Sequence, residues 1–270
     1  MQSKASPKQL ILGLMLAAKG KPVKAAHMVV ACQLFGVSEN HVRVALTRLS
    51  AEGHLKSVSR GVYALGTRAA PTGDDVRDWS QRLGIAQAWN GQFIVAITTN
   101  LGRKDRQQVQ ARERALGMHG FKVWLPGVFV RPDNLAWGID GLHTRLLDKG
   151  VEPDLALNWM TPRNQNQAQE IQALWDARKL ERLYKSHLQK MQNWLKGYQK
   201  MALERAAREA YLVGSEAIYQ VRHDPLLPDA WIDRALRDEF FAQVEQFNAL
   251  GQQIWHDIQI RILKDGEAPY

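Results

Sequence analysis

The chain has 270 residues, is 45% hydrophobic and carries a formal net charge of +9. This length predicts two or three domains with their own hydrophobic cores. No apolar stretch approaches the roughly 18 residues of a membrane-spanning helix, and the single cysteine, Cys32, excludes an internal disulfide. We therefore expect a protein of the reducing cytoplasm.

The positive charge is concentrated at the start of the chain. Residues 1–70 contain ten basic and two acidic residues, which gives +8, whereas the remaining 200 residues contribute only +1. A surplus that served solubility would be spread along the chain. Charge concentrated in one segment indicates that this segment binds a polyanion.

The first segment has the pattern of three helices. Ser6 is a suitable N-cap and Pro7 a suitable first helical residue, and apolar residues then recur at helical spacing. A second helix is predicted from Pro22 to about Gln33. The third is predicted to begin after the N-cap Ser38 and to stop at Gly53, the usual C-terminal signal.

The third helix separates into two faces at 100° per residue. Its apolar face comprises Val42, Ala45, Leu46 and Leu49. Its outer face can form hydrogen bonds to base edges and phosphates and comprises Asn40, His41, Arg43, Val44, Thr47 and Arg48. We expect Arg43 and Thr47 to contact bases, and Asn40 and Arg48 to contact bases or phosphates.

After Gly53 the period changes to alternation, which predicts strands at His54–Ser59 and Val62–Leu65. Three helices and a hairpin form a winged helix-turn-helix, whose recognition helix enters the major groove. Lys56 and Arg60, on the wing, are expected to contact phosphate or the minor groove. The alternative is a protein-interaction domain with an ordinary charged surface, and the charge asymmetry favours DNA.

A linker at 66–73 and a connecting helix at 74–89 lead to a second domain. Its elements follow the order β-α-β-β-α-β, which is the ferredoxin-like arrangement. Strands are predicted at 92–98, 121–124, 128–131 and 153–160, and helices at 103–117 and 139–149.

The rest of the chain is helical. One long helix carries an apolar stripe from Ile171 to Tyr198, a second spans Glu204–Gln220, and a last one carries aromatic residues from Trp231 to Ile258. A proline-bounded corner lies at Val221–Pro228. The predicted fold class is therefore α+β and mostly helical. The predicted domains are 1–70, 71–162 and 163–270.

The sequence does not predict an enzyme. The eight histidines are scattered without metal-ligand spacing, and a nucleophile elbow and a Gly-rich phosphate loop are both missing from the pattern. The segment Gln92–Asn100, which contains the first central strand, has no carboxylate that could help hold a catalytic cation. We expect no catalytic residues, no metal and no cofactor.

Three motifs resemble those of the PaaX-type transcriptional repressors over nearly the whole chain. They are Gly120-Phe121 with Leu125–Pro132, Leu174-Trp175-Asp176, and Arg222–Pro228. The resemblance implies a winged helix, a central domain similar to the Cas2 ferredoxin-like fold, and a helical C-terminal domain. It also implies repression of phenylacetate-type catabolic genes and release from DNA by an aryl-CoA such as phenylacetyl-CoA.

For such an effector, an aromatic-lined cleft would hold the aryl group and cations would hold the phosphates. The candidate residues are Arg103, Lys104, Arg106, Trp124, Arg131, Arg222 and His223. Each also has a structural interpretation: tryptophans as packing, the cluster at 103–106 as a solvated surface, and Arg222 with His223 as part of a hydrogen-bonded corner.

Two hypotheses remain at this point. The first is a homodimeric repressor that binds an inverted-repeat operator through double-stranded DNA contacts and responds to a CoA thioester. The second is a DNA-binding architectural or adaptor protein without a small-molecule effector. The two differ in whether an acyl-CoA changes DNA affinity.

Overall fold

The computed structural model describes residues 6–18, 21–67 and 78–266. The chain forms two compact units. One unit comprises Met1–Trp79, Lys190–Glu216 and Val244–Tyr270, and the other comprises Ser80–Gln189 and Ala217–Gln243. The predicted boundaries near residues 70 and 162 remain predictions.

The N-terminal segment has the helix and strand order of a winged helix. The elements are α1 (Pro7–Ala17), β1 (Val23–Lys24), α2 (Ala25–Gln33), α3 (Glu39–Ala51), β2 (Leu55–Ser59) and β3 (Val62–Leu65). The strands form an antiparallel sheet in the order β1-β3-β2. The predicted three helices and hairpin are confirmed.

The predicted start of the second helix is wrong by three residues. Val23 and Lys24 pair with Tyr63 and Val62 instead of beginning a helix at Pro22. The backbone N–H of Ala25 then donates to the Gly61 carbonyl at 2.7 Å. The paired residues are far apart in sequence, so the local pattern around Pro22 cannot predict that they form a strand.

Helix α3 is held by the core of this domain. Val42, Leu46 and Leu49 are buried together with residues of α1 and α2, among them Leu10, Ile11, Met28 and Cys32. Burial raises the pKa of the Cys32 thiol to about 11, so it stays protonated as a small core side chain. The predicted apolar face is thereby confirmed.

Gly53 ends α3 as predicted, with a φ of 74°. The next N–H, that of His54, donates to the Leu49 carbonyl at 2.9 Å. A bond that reaches back over the last helical turn around a left-handed glycine is the usual C-terminal stop.

The connecting segment differs from its prediction. The described part, Asp78–Ile85, is a 3-10 helix, whereas the sequence predicts an α-helix over 74–89. Residues 68–77, which include most of the predicted linker, lie outside the described residues.

The central sheet confirms the β-α-β-β-α-β order. Its elements are β4 (Phe93–Ile97), α4 (Arg106–Met118), β5 (Lys122–Leu125), β6 (Val128–Pro132), α5 (Gly138–Asp148) and β7 (Ala156–Met160). The strands are antiparallel in the order β5-β6-β4-β7. Ile94 and Ala96 share a core with Leu116 of α4 and Leu142 of α5.

The C-terminal region is helical, as predicted, but its first helix is divided. It contains α6 (Gln165–Gln172), α7 (Ala177–Leu195), α8 (Leu203–Arg222) and α9 (Arg234–Gly266), with 3-10 turns at Tyr198–Lys200 and Asp229–Trp231. The prediction that one helix carries the stripe from Ile171 to Tyr198 is wrong, because Asp176 caps a new helix by accepting from the Lys179 N–H at 2.8 Å. Helices α7, α8 and α9 each contribute residues to both units.

Candidate nucleic-acid interface

The outer face of α3 carries the six side chains that the sequence predicts for the recognition helix. Asn40, His41, Arg43, Val44, Thr47 and Arg48 are all exposed. Ser38 caps the helix by accepting from the His41 N–H, and its Oγ lies 3.0 Å from His41 Nδ1. The buried stripe on the opposite face fixes the direction in which these groups point.

Arg43 is already oriented in the free protein. Its Nε and Nη2 lie 2.7 Å and 2.6 Å from Glu39 Oε1, one helical turn earlier. Thr47 Oγ1 donates to the Arg43 carbonyl at 3.1 Å. An exposed ion pair of this kind contributes little stability, but it limits the directions that the Arg43 guanidinium samples.

A second ion-pair group anchors the C-terminal end of the face. Glu52 accepts from Arg48 Nε and Lys8 Nζ, each at 2.8 Å, and His54 Nε2 lies 3.7 Å away. Hydrogen bonds from Lys8 and Arg48 lower the pKa of Glu52 to about 2. Glu52 is therefore ionised at neutral pH and holds two cations, one from α3 and one from α1.

Val44 is an apolar residue in the middle of this polar face, with 59% of its surface exposed. An exposed aliphatic side chain on a recognition helix suits contact with the methyl group of thymine. The outer face of α3 therefore offers a guanidinium group, a hydroxyl, an amide and an apolar side chain within three helical turns.

The wing presents the second part of the interface. Lys56 and Arg60 are exposed, and Gly61 takes a φ of 70° at the tip of the hairpin. The register between β2 and β3 shifts between Ser57 and Ser59, which leaves Val58 exposed. A bulge of this kind bends a hairpin and turns its side chains.

The predicted interface set omits Glu39, Glu52 and Lys8, which orient its arginines. The spacing of Glu39 to Arg43 and of Arg48 to Glu52 is four residues, and four-residue spacing on a helix predicts such pairs. The contact from Lys8 to Glu52 joins positions 44 residues apart, and local sequence carries no signal for it.

The predicted effector-binding residues fall into separate groups. Arg103, Lys104 and Arg106 are exposed at the start of α4, where Asp105 caps the helix by accepting from the Gln107 N–H. Trp124 lies on β5, partly buried. Exposed cations at a helix start are compatible with phosphate contact, and equally with solvation.

Arg131 lies in the core of its unit. Its Nε donates to the Pro132 carbonyl at 2.9 Å, Nη2 to Asn134 Oδ1 at 3.0 Å, and Nη1 to the His119 carbonyl. Burial lowers the pKa of Arg131 to about 9, which leaves the side chain charged at neutral pH. These bonds give Arg131 a structural role.

The corner between α8 and α9 is tied down by buried polar groups. Leu226 has a positive φ of 51°; its N–H donates to Asp224 Oδ1 at 2.8 Å, and its carbonyl accepts from Asn134 Nδ2 at 2.7 Å. Asp224 Oδ2 accepts from the Tyr184 hydroxyl. Burial raises the pKa of Asp224.

Arg82 joins this corner and is absent from the predicted set. Its Nη2 donates to the Asp224 carbonyl at 2.8 Å and to the Met118 carbonyl at 3.2 Å. Burial lowers the pKa of His223, and the charges of Arg222 and Arg82 lower it further. Arg82, Arg222 and His223 belong to the same compact unit.

Several tryptophans serve packing. Trp231 lies 4.8 Å from Trp89, 5.8 Å from Trp175 and 6.1 Å from Phe93 between ring centroids. Edge-to-face and tilted contacts at these distances are typical of protein cores. This cluster matches the structural interpretation of the tryptophans that it contains.

The described ranges contain neither a cluster of metal ligands nor a helix that could span a membrane. No three metal-ligating side chains there lie close enough together to hold an ion. Each helix in the same ranges is too short or too polar to cross a membrane.

The chain is similar to known proteins in two respects, one in sequence and one in structure. A family model described as PaaX-like protein matches residues 6–69. No curated protein is significantly similar to the chain. The uncharacterized protein Rv0674 from Mycobacterium tuberculosis has a similar structure, with a TM-score of 0.63, 19% identity, and coverage of 94% of this chain and 99% of that one.

These likenesses support two statements. The structural similarity extends over nearly the whole chain and shows a shared fold. Residues 6–69 are similar to the PaaX-like family, and this similarity indicates DNA binding by that segment.

Proposed function

We propose that this protein is a sequence-specific DNA-binding transcriptional repressor. The observation that carries the proposal is the outer face of α3, where exposed hydrogen-bonding and cationic side chains stand on a helix fixed by a buried apolar stripe. The face belongs to the segment that holds +8 of the net charge of +9. The PaaX-like match over residues 6–69 supports the same function.

In this proposal α3 enters the major groove. Arg43 donates two hydrogen bonds to a guanine edge, and Thr47 contacts the neighbouring base. Asn40 and Arg48 contact a base or a phosphate, while Lys56 and Arg60 of the wing hold the backbone. Glu39 and Glu52 release or share their arginines as the DNA contacts form.

The protein is proposed to act in the cytoplasm as a homodimer on an inverted repeat. A single winged helix buries too little surface for tight specific binding, and two-fold symmetry doubles the contact. The proposal assigns the chain no catalytic step and no cofactor.

The finer part of the proposal concerns regulation. The resemblance to PaaX-type repressors supports an aryl-CoA effector, of the phenylacetyl-CoA type, that releases the protein from operators of aromatic-acid catabolic genes. Exposed Arg103, Lys104 and Arg106 would hold CoA phosphates. Roles for Trp124, Arg131, Arg222 and His223 in effector binding remain predictions.

Selection of genomic DNA fragments by the full-length protein tests DNA binding first. Enrichment of one inverted repeat is expected, and its loss in an Arg43→Ala variant assigns the binding to α3. Uniform recovery of all fragments would contradict a sequence-specific repressor.

Titration of the selected complex with CoA thioesters tests regulation separately. Coupling of about 1–3 kcal/mol per site predicts a 5- to 150-fold loss of DNA affinity with phenylacetyl-CoA, and none with free phenylacetate. Unchanged affinity with every thioester would favour the effector-free adaptor and leave DNA recognition intact.

A further inference from the structure

Helix α7 carries a second concentration of positive charge, outside the winged helix. Over Ala177–Leu195 the sequence has five basic residues and one acidic residue, Glu181. By comparison, residues 71–270 together contribute only +1. The charge of α7 is therefore a local feature of this helix.

Four of these cations form one surface, which we call the α7 basic face and define as Arg178, Lys179, Arg182 and Lys185. All four are exposed and belong to the same compact unit. At 100° and 1.5 Å per residue, Arg178, Arg182 and Lys185 fall within about 60° of arc and about 10 Å of length. Lys179 lies on the flank of the same arc.

No exposed residue of α7 is acidic. Glu181 is partly buried, and its Oε1 accepts from the Asp233 N–H at 2.9 Å. Asp176, which precedes the helix, contacts the face: its Oδ2 lies 3.9 Å from Arg182 Nη2. That distance is at the limit for an ion pair and leaves Arg182 largely hydrated.

Three exposed arginines on other helices pair with a carboxylate one turn away. Arg43 pairs with Glu39, Arg205 with Glu209, and Arg234 with Asp238. At these three positions, therefore, opposite charges lie side by side on the helix surface. The α7 basic face departs from that pattern, since its contact with Asp176, at 3.9 Å, is at the limit for an ion pair. A group of exposed cations suits contact with a phosphate backbone.

The opposite face of α7 is fully used for packing. Leu180, Tyr184, Leu188 and Met191 are buried, and the large apolar side chain with appreciable exposure is Leu183, at 37%. A helix that binds a membrane surface must insert a free apolar face. The α7 basic face can therefore offer charge but no apolar insertion.

We propose that the α7 basic face binds the phosphate backbone of DNA that flanks the operator. The inference rests on the proposed function, because the operator bound by the winged helix brings flanking DNA to the same molecule. Binding there would be independent of sequence and strongly dependent on salt.

The test compares two duplexes with the full-length protein. One covers the operator alone, and the other adds about 20 bp, or two helical turns, on each side. The variant replaces the face with glutamine (Arg178→Gln, Lys179→Gln, Arg182→Gln, Lys185→Gln). The matched control removes four dispersed exposed cations (Arg114→Gln, Lys122→Gln, Arg163→Gln, Lys200→Gln).

The parent and the control are expected to bind the long duplex about tenfold or more tightly than the short one at low salt. The face variant should lose this preference, and its salt slope on the long duplex should fall by about three units. A conservative variant, Arg178→Lys with Arg182→Lys, should keep the preference, which separates lost charge from lost folding.

Equal affinity of the parent for both duplexes would overturn the inference, as would equal losses in the face variant and the control. Binding of the parent to acidic phospholipid vesicles that the face variant lost, without any effect of flanking DNA, would assign the face to a membrane instead. Failure of the parent to prefer operator over random short duplex would refute the proposed function itself.

Discussion

Gly13 provides a test of how the winged helix is held against the C-terminal helices. A Cβ atom at Gly13 of α1 would lie well inside van der Waals distance of the Tyr211 hydroxyl of α8, and 3.3 Å from Cε2 and Cζ of the ring. Tyr211 packs against the domain core and lies 5.2 Å from Phe35 between ring centroids. The tyrosine therefore has little room to move away from an added methyl group.

Two opposing effects set the size of the change in Gly13→Ala. Replacing a mid-helix glycine with alanine stabilises by about 0.5–1 kcal/mol. Overpacking a well-filled contact costs about 1–3 kcal/mol. The second effect is larger here, so we expect a net loss of about 1–2 kcal/mol.

Gly251→Ala is the matched control, because a Cβ at Gly251 of α9 meets nothing within 4 Å and the residue lies in the same compact unit. Only the gain in helix propensity applies at Gly251, so the free energy of unfolding should rise by about 0.5–1 kcal/mol. Thermal unfolding followed by circular dichroism should therefore shift in opposite directions for the two variants.

A Tyr211→Phe background tests the cause. Removing the hydroxyl removes the closest atom and leaves the contacts at 3.3 Å, so Gly13→Ala should cost much less in that background. The close contact between α1 and α8 would be refuted by a stabilising Gly13→Ala in the parent, or by a cost that stays the same after the hydroxyl is removed.

Three further predictions address the interface and the corner. Arg60→Ala should weaken binding to all DNA alike and lower the salt slope by about one unit; parallel salt series for variant and parent would remove the wing from the interface. Tyr184→Phe should lower the free energy of unfolding by about 1–3 kcal/mol, because the buried Oδ2 of Asp224 loses the Tyr184 hydroxyl as its donor. Tyr219→Phe, at an exposed position, should leave the free energy of unfolding unchanged in the same denaturant titration. Glu39→Gln should raise the affinity for random DNA and lower the ratio of operator affinity to random-DNA affinity about twofold, because an exposed helical ion pair contributes free energy of about that size. An unchanged ratio would show that Glu39 does not orient Arg43.

The winged helix could be predicted from sequence because its signals are local. The Ser6-Pro7 start, the Ser38 cap and the Gly53 stop each act within a few residues, and the Val42, Leu46 and Leu49 stripe is a helical period. The error at Pro22 arises where the structure depends on β1 pairing with β3, which joins residues about 40 positions apart.

The C-terminal region shows the limit of periodicity. An apolar stripe continues across residues 173–176, but the helix does not. Trp175 turns its Nε1 to the Gly120 carbonyl at 3.2 Å, and Asp176 caps the next helix. The hydrophobic period of a sequence predicts which side chains share an apolar face. It does not predict where a tertiary contact ends the helix.

Some parts of the candidate sites could be predicted from the sequence, and others depend on contacts between distant residues. Exposure of the α3 face follows from the helical period, and the Glu39–Arg43 pair follows from its spacing. The burial of Arg131 does not follow, since its partners, the His119 carbonyl and Asn134, are brought together only by the folded sheet. Arg82 reaches the Asp224 carbonyl across 142 positions, beyond any sequence pattern.

The most direct test of base reading by α3 is the affinity of Arg43→Ala for operator and for random DNA at one salt concentration. Arg205→Ala is the matched control, because Arg205 forms the same type of exposed ion pair, at 2.8 Å to Glu209. Arg43→Ala is expected to lose about 1–3 kcal/mol on the operator and much less on random DNA, with no change for Arg205→Ala. Equal losses on both DNAs, or no loss on either, would contradict the assignment of α3 as the helix that reads sequence.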